Sequence, residues 1–213
     1  MNTPSTPLSP SLDTLRTLSG KGLRALLAQG HPVDPASLDN SQYRGVSLGI
    51  PKWVEKMAWT TFMKTFHRDP ETGALRGWNV RLKQTGLDGP VEFMRTRDGE
   101  PKTFGHFEVV DANPDTMPTG CAAGLLIHYG RGGNGRFDPI RWLRDPLVSL
   151  EPGSTDRLLG ASYLDLGFRI MTPSYFLLER RGSLDHVTHS PRPSRSSRDL
   201  RRLPSRRQVP QSD

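Results

Sequence analysis

One cysteine, Cys121, stands among 213 residues. A lone cysteine excludes an intrachain disulfide framework and any CxxC-type zinc site. It lies in a run of small residues with no base beside it in sequence, so a small buried residue is expected there, not a nucleophile. Long apolar runs are also absent. The longest clean stretch, Leu125-Leu126-Ile127, is far short of the roughly 20 residues that span a bilayer. The N-terminus, MNTPSTPLSPSLDTL, has neither a basic region nor a continuous apolar core, so no secretory signal is expected and a cytoplasmic location is. There is no G-x-S-x-G elbow and no P-loop. The hydrophobic share is only 34%, low for a compact domain.

Charge explains part of that shortage. Lys and Arg number 29 against 22 Asp and Glu, a formal +7. Residues 182–213 hold seven Arg (192, 195, 198, 201, 202, 206 and 207) and three Asp, so this segment carries +4 of the total. It has no periodic apolar pattern, which predicts a disordered Arg-rich tail. Residues 1–10, rich in Pro, Ser and Thr, predict a disordered leader. One domain is expected between them, over 11–181. The tail has no aromatic residue and no base-reading element, so weak, salt-sensitive polyanion binding is the most it supports and nucleic acid is an unlikely partner.

Within the domain the periodicity changes. Leu15, Leu18, Leu23, Leu26 and Leu27 predict a helix over 12–29, with Ser11 or Asp13 as cap and Gly30 and Pro32 as stop. Trp53, Met57, Phe62 and Phe66 predict a second helix over 52–66, with Pro51 in its first turn. Tyr43–Gly49 is a short strand candidate. From Trp78 onward the apolar residues alternate: Trp78, Val80 and Leu82, then Val91–Arg97 and Thr103–Val110 around an Asp98-Gly99 hairpin signal. Leu125–Tyr129, Arg157–Asp165, Phe168–Met171 and Ser174–Arg180 follow. Asp138-Pro139 opens at most a short helical turn, because Pro146 intervenes. Strands in succession, without crossover helices, predict an antiparallel sheet, curled or closed into a β-barrel. The fold class is mainly β with two helices (α+β), one N-terminal and one inserted.

Four constellations bear on chemistry. Residues 130–135, GRGGNG, match G-x-G-x-x-G after a strand. No long helix follows, and no acidic residue ends a second parallel strand, so a loop joining antiparallel strands is the simpler reading. His106 and Glu108 share one strand face with Phe104 and Val110. With His128 they form a possible acid–base or metal set. His186 and His189 lie at the start of the tail and lack a supporting frame. The last constellation is a set of large residues on consecutive strand candidates: Trp78, Phe93, Phe104, Tyr129, Tyr163 and Tyr175. In a small barrel such residues fill the interior or line an apolar cavity.

Two places resemble lipocalin-like (calycin) bacterial domains of unknown function, of the GxWxG type. Leu38 with Tyr43-Arg44-Gly45 resembles their opening pattern, with Tyr43 where tryptophan stands in the family. Arg136-Phe137-Asp138-Pro139-Ile140, Leu158-Leu159-Gly160 and Tyr175–Arg180 are similar to the run that closes such domains. The resemblance implies a β-barrel that holds a small apolar molecule, and it implies no catalytic residue.

The leading expectation is therefore non-catalytic binding of a small hydrophobic ligand inside a barrel. The named lining is Trp78, Arg81, Phe93, Phe104, His128, Tyr129, Tyr163 and Tyr175, with Arg81, His128 and Tyr163 orienting the ligand through polar groups. No cofactor or metal is expected. The alternatives are an enzyme using His106, Glu108 and His128, and polyanion binding through the tail.

Overall fold

The computed structural model describes residues 9–49, 60–111 and 124–187. The N-terminal segment is two helices, not one. Ser11 caps α1 (Leu12–Thr17) by accepting from the Thr14 amide. Leu18 is extended, and Ser19 caps α2 (Gly20–Ala28) by accepting from the Gly22 amide. A hydroxyl that satisfies an orphan helix-start amide favours a fresh start over continuation, and Gly20 and Gly22 weaken the through-helix alternative. A single turn, α3 (Pro35–Leu38), follows, capped by Asp34.

Eight strands then close an antiparallel barrel in sequence order. They are β1 (Ser41–Leu48), β2 (Thr61–Arg68), β3 (Leu75–Arg81), β4 (Thr103–Asp111), β5 (Leu125–His128), β6 (Leu143–Ser149), β7 (Arg157–Asp165) and β8 (Arg169–Gly182). β1 pairs with β8 through Gly45 and Leu178, which completes the ring and leaves no open edge.

Several expectations are corrected. Residues 61–66, assigned to a second helix over 52–66, belong to β2, while 52–59 lie outside the described residues. The spacing of four between Phe62 and Phe66 fits a helical face and also two steps along a strand, so the aromatic pair could not decide between them. Phe168–Met171 and Ser174–Arg180 are parts of one strand, β8. β6 runs through Pro146, where a breaker was expected. The β6–β7 pairing joins Arg144 to Tyr163 and resumes at Leu147 with Gly160. Pro146 sits in that interruption, where no ladder bond needs its missing N–H. Around Asp98-Gly99 the turn forms, with Thr96 donating to the Glu100 carbonyl over 2.8 Å. The arm before it makes only isolated bridges, Leu82 to Phe93 and Arg95 to Pro101.

The wall has two apolar sides. Inside, Tyr43, Phe66, Phe107, Leu125, Ile127, Leu147, Leu158 and Leu178 fill one half of the barrel. Tyr43, Phe66, Phe107 and Tyr129 stack edge-to-face in series, with centroids 5.5, 5.6 and 5.6 Å apart, in the geometry that aromatic quadrupoles prefer. Val33 and Leu38 plug that end, and Arg180 ties the plug down by donating to the Ser37 carbonyl and to Thr155. Outside, α1 and α2 bury Leu15, Leu23 and Leu27 against Leu48, Leu126, Val148, Leu159 and Leu177. A second outer cluster joins Met63, Trp78, Val80 and Leu82 to Phe93 and Leu184.

Candidate functional site

Above the packed half, toward the end where β6 begins, the interior holds a cavity of about 210 Å³. Its apolar lining is Phe62, Phe104, Ile140, Leu143 and Phe176, and its small polar lining is Ser47, Asn79, Ser162 and Ser174. Lys64, Tyr129 and Asp145 complete it.

Strand alternation delivers most of these groups. Phe62, Lys64 and Phe66 fall on the inner face of β2, with Met63 on the outer. Two glycines make room for the rings. A Cβ on Gly45 would lie 2.4 Å from the Phe62 ring, and one on Gly160 would lie 2.2 Å from the Phe176 ring. Each glycine is the cross-strand partner of the ring it accommodates. β4 departs from alternation. Its pairing with β3 is shifted between Gly77 and Asn79, and Gly105 adopts φ +53°. This bulge turns both Phe104 and Phe107 inward although they are an odd three positions apart.

The glycine-rich loop serves the same bulge. Asn134 donates to the carbonyls of His106 and Tyr129 and accepts from the His106 amide. A Cβ on Gly132 would lie 1.8 Å from the His106 carbonyl oxygen. The glycines therefore permit backbone contact with β4, and the chain turns through a 3₁₀ segment, Tyr129–Arg131, that aims Tyr129 into the barrel. No helix suited to a pyrophosphate follows: the next turn, Pro139–Trp142, has four residues.

The polar cluster is tightly closed. Lys64 Nζ donates to the Tyr129 hydroxyl over 2.7 Å, and that hydroxyl donates to Asp145 Oδ2 over 2.8 Å. Lys64 Nζ lies 3.5 Å from the same oxygen. Ser162 donates to Asp145 Oδ1 over 2.8 Å. The Lys64 and Asp145 side chains are only 1% and 3% exposed. Burial pushes the Lys64 ammonium down to about 8, against the attraction of Asp145. Burial pushes the Asp145 carboxyl up, opposed by Lys64, Ser162 and Tyr129. The Tyr129 phenol is raised well above its usual range by burial and by the Asp145 charge, so it stays a donor. The ammonium also rests against aromatic faces, 4.8 Å from the Phe107 centroid and 5.2 Å from that of Phe176, which offsets part of its lost hydration.

Of the expected lining residues, Phe104 and Tyr129 face the cavity. Arg81 is half-buried, with its guanidinium 5.3 Å from the Phe104 centroid. The structure does not bring the others to the cavity. Trp78 and Phe93 belong to one outer cluster, and Tyr163 and Tyr175 to the other. His128 lines a separate outer recess with Arg144, Tyr163, Asp165 and Arg169. The parity of each strand decides this: Asn79 and Ser162 point inward, so Trp78 and Tyr163 point outward.

His106, Glu108 and His128 do not line the cavity. His106 contacts Trp78, with ring centroids 6.2 Å apart. Glu108 is cross-strand to His128, but Arg131 takes its Oε1 at 3.1 Å. Burial, with Arg144 and Arg131 adding repulsion, lowers His128 to about 4. Among the described residues no three His, Cys, Asp or Glu side chains are gathered so as to hold a metal, and no helix is long and apolar enough to cross a membrane. Cys121, His189 and the arginines from Arg192 onward lie outside the described residues.

Sequence reasoning missed Lys64, Asp145, Asn79, Ser162, Phe62 and Phe176 as site residues. Lys64 was assigned to a helix, and Asp145 stood beside a proline read as a breaker. The available signal was Phe62-x-Lys64-x-Phe66, a charged residue in phase with two rings on a strand of period two.

The geometry is that of an eight-stranded, all-antiparallel closed barrel, consistent with a calycin-like fold. No family model, curated protein or solved structure matches the chain.

Proposed function

We propose that the barrel interior binds one small, uncharged, mostly apolar molecule, with an oxygen acceptor turned toward Lys64 and Asn79. The observation that carries this reading is the cavity itself: apolar walls over a charge-balanced polar floor. At about 210 Å³ it exceeds the roughly 150 Å³ that admits benzene. It falls below the roughly 300–1,000 Å³ of drug-sized sites. One ring with a short substituent suits that volume. The Lys64 and Asp145 charges cancel, and a ligand carboxylate would compete with Asp145 for the ammonium in a medium where unpaired charge is costly. A carbonyl or hydroxyl oxygen can accept a hydrogen bond without that conflict.

Two measurements test it. Native mass spectrometry of protein purified from its own host should show a bound small molecule. Heteronuclear NMR titration with benzyl alcohol should shift the amides of Lys64, Asn79 and Ser162, and Ser47→Phe, which adds a ring to the cavity lining, should abolish the shifts. Shifts confined to the outer wall would refute the reading.

A further inference from the structure

The floor of the cavity is built for more than a hydrogen bond to an oxygen. Lys64 is a buried amine at the floor of a mostly apolar cavity, bonded to a phenol that is itself bonded to a carboxylate. Resting on the binding reading above, we propose that Lys64 is a covalent site: it condenses reversibly with the carbonyl carbon of a small aldehyde or ketone held in the cavity, forming a Schiff base.

The groups for each step are in contact. The ammonium gives a proton to the Tyr129 oxygen as Tyr129 passes its own to Asp145, which leaves a neutral amine and a protonated carboxyl. The amine lone pair forms the N–C bond while the C=O π pair moves to oxygen, which takes a proton from the nitrogen. Asp145 returns its proton through Tyr129 to the carbinolamine hydroxyl, and the C–O bond breaks to release water. The nitrogen keeps one proton, and the resulting iminium faces the Asp145 carboxylate where the ammonium stood. Charge and atoms balance: ammonium plus carbonyl becomes protonated imine plus water, with no oxidant or further reactant. Burial supplies the other requirement. Desolvated lysines lose their proton readily, as nucleophilic lysines must, and Lys64 is lowered to about 8. Asp145 and Tyr129 are the titratable groups bonded to it. Phe62, Phe107 and Phe176 supply only ring faces.

The test uses the full chain with benzaldehyde and cyanoborohydride at pH 8, read by intact mass and peptide mapping. One benzyl group should appear on Lys64, at a rate about 10-fold or more above that of exposed lysines such as Lys21, Lys83 and Lys102, because a lysine desolvated in an apolar pocket is the activated nucleophile. Benzyl alcohol should compete, and Lys64→Met should lose the site. The wild-type map decides the question even if that variant folds poorly. Labelling of exposed amines alone, while benzyl alcohol still binds in the cavity, would overturn the Schiff base and leave the binding reading intact. If neither probe enters the barrel, both fall.

Discussion

The inner and outer faces of the β5–β6 wall both pair their charges but differ in how far they exclude water from them. His128 and Arg144 point outward, and their chain neighbours Tyr129 and Asp145 point inward. The inner groups join Lys64 in a closed set in which each finds a partner. The outer charges are also paired, Arg131 with Glu108 and Arg144 with Asp165, but Arg144 and Arg131 disfavour a charge on His128, whose Nδ1 has no hydrogen-bond partner within the described protein, nor has Glu108 Oε2. The inner set is nearly dry, whereas Arg131 is 43% and Asp165 41% exposed. Water can help to solvate the half-exposed Arg131 and Asp165 ends of the outer pairs. Inside a barrel only protein groups can stabilise a charge, which is why the inner charges come as a matched pair.

The largest expected effect comes from breaking the inner match. Asp145→Ala leaves a buried ammonium uncompensated and should cost about 3–5 kcal/mol in urea unfolding. Adding Lys64→Met to that variant should recover most of the loss. If Asp145→Ala is neutral, water reaches the inner set and the contrast between the faces fails.

A second comparison is through pH. His128 is lowered from 6.5 to about 4 in the folded state. Below pH 6.5 the unfolded chain therefore binds a proton that the folded chain refuses, so stability should fall as pH drops from 6.5 to 4. Lys64 is lowered from 10.5 to about 8. Its cost is fully present below pH 8 and should be relieved as pH rises toward 10.5. Urea midpoints should thus rise with pH in two separate windows. His128→Gln should flatten the acid one, and the Asp145→Ala/Lys64→Met double variant, which leaves no uncompensated inner charge, should flatten the alkaline one. A single shared window would mean that the two faces titrate together.

The smallest effect should be Arg131→Ala. Its own side chain is 43% exposed, though Glu108 is buried, so the loss should be about 1 kcal/mol, well below that of Asp145→Ala. A loss as large as that of Asp145→Ala would make the outer set as closed as the inner.

Much of the wall was legible in the sequence because burial of one or both faces imposes a period of two. Arg157–Asp165 came out with the bounds that β7 has, and the N-terminal leucines pack as a helical stripe should. The site was less legible. Phe104 could be named, but its pairing with Phe107 on one face required the Gly105 bulge, and a bulge is a property of a strand pair. β6 escaped notice because Pro146 is tolerated only where the β7 ladder is interrupted. Trp78, Tyr163 and Tyr175 were named for their size. Both faces of this wall are covered by apolar groups, so size carried no information about direction.

The single cysteine excluded an intrachain disulfide, and alternation along the strands determined a mainly β fold. Closure of the ring decided the rest. Lys64, Tyr129 and Asp145 come from β2, the segment after β5, and β6, and local sequence cannot show that three such distant groups share one cavity floor. Only tertiary structure puts them together, because the pairing that closes a barrel also decides which charges must answer one another inside it.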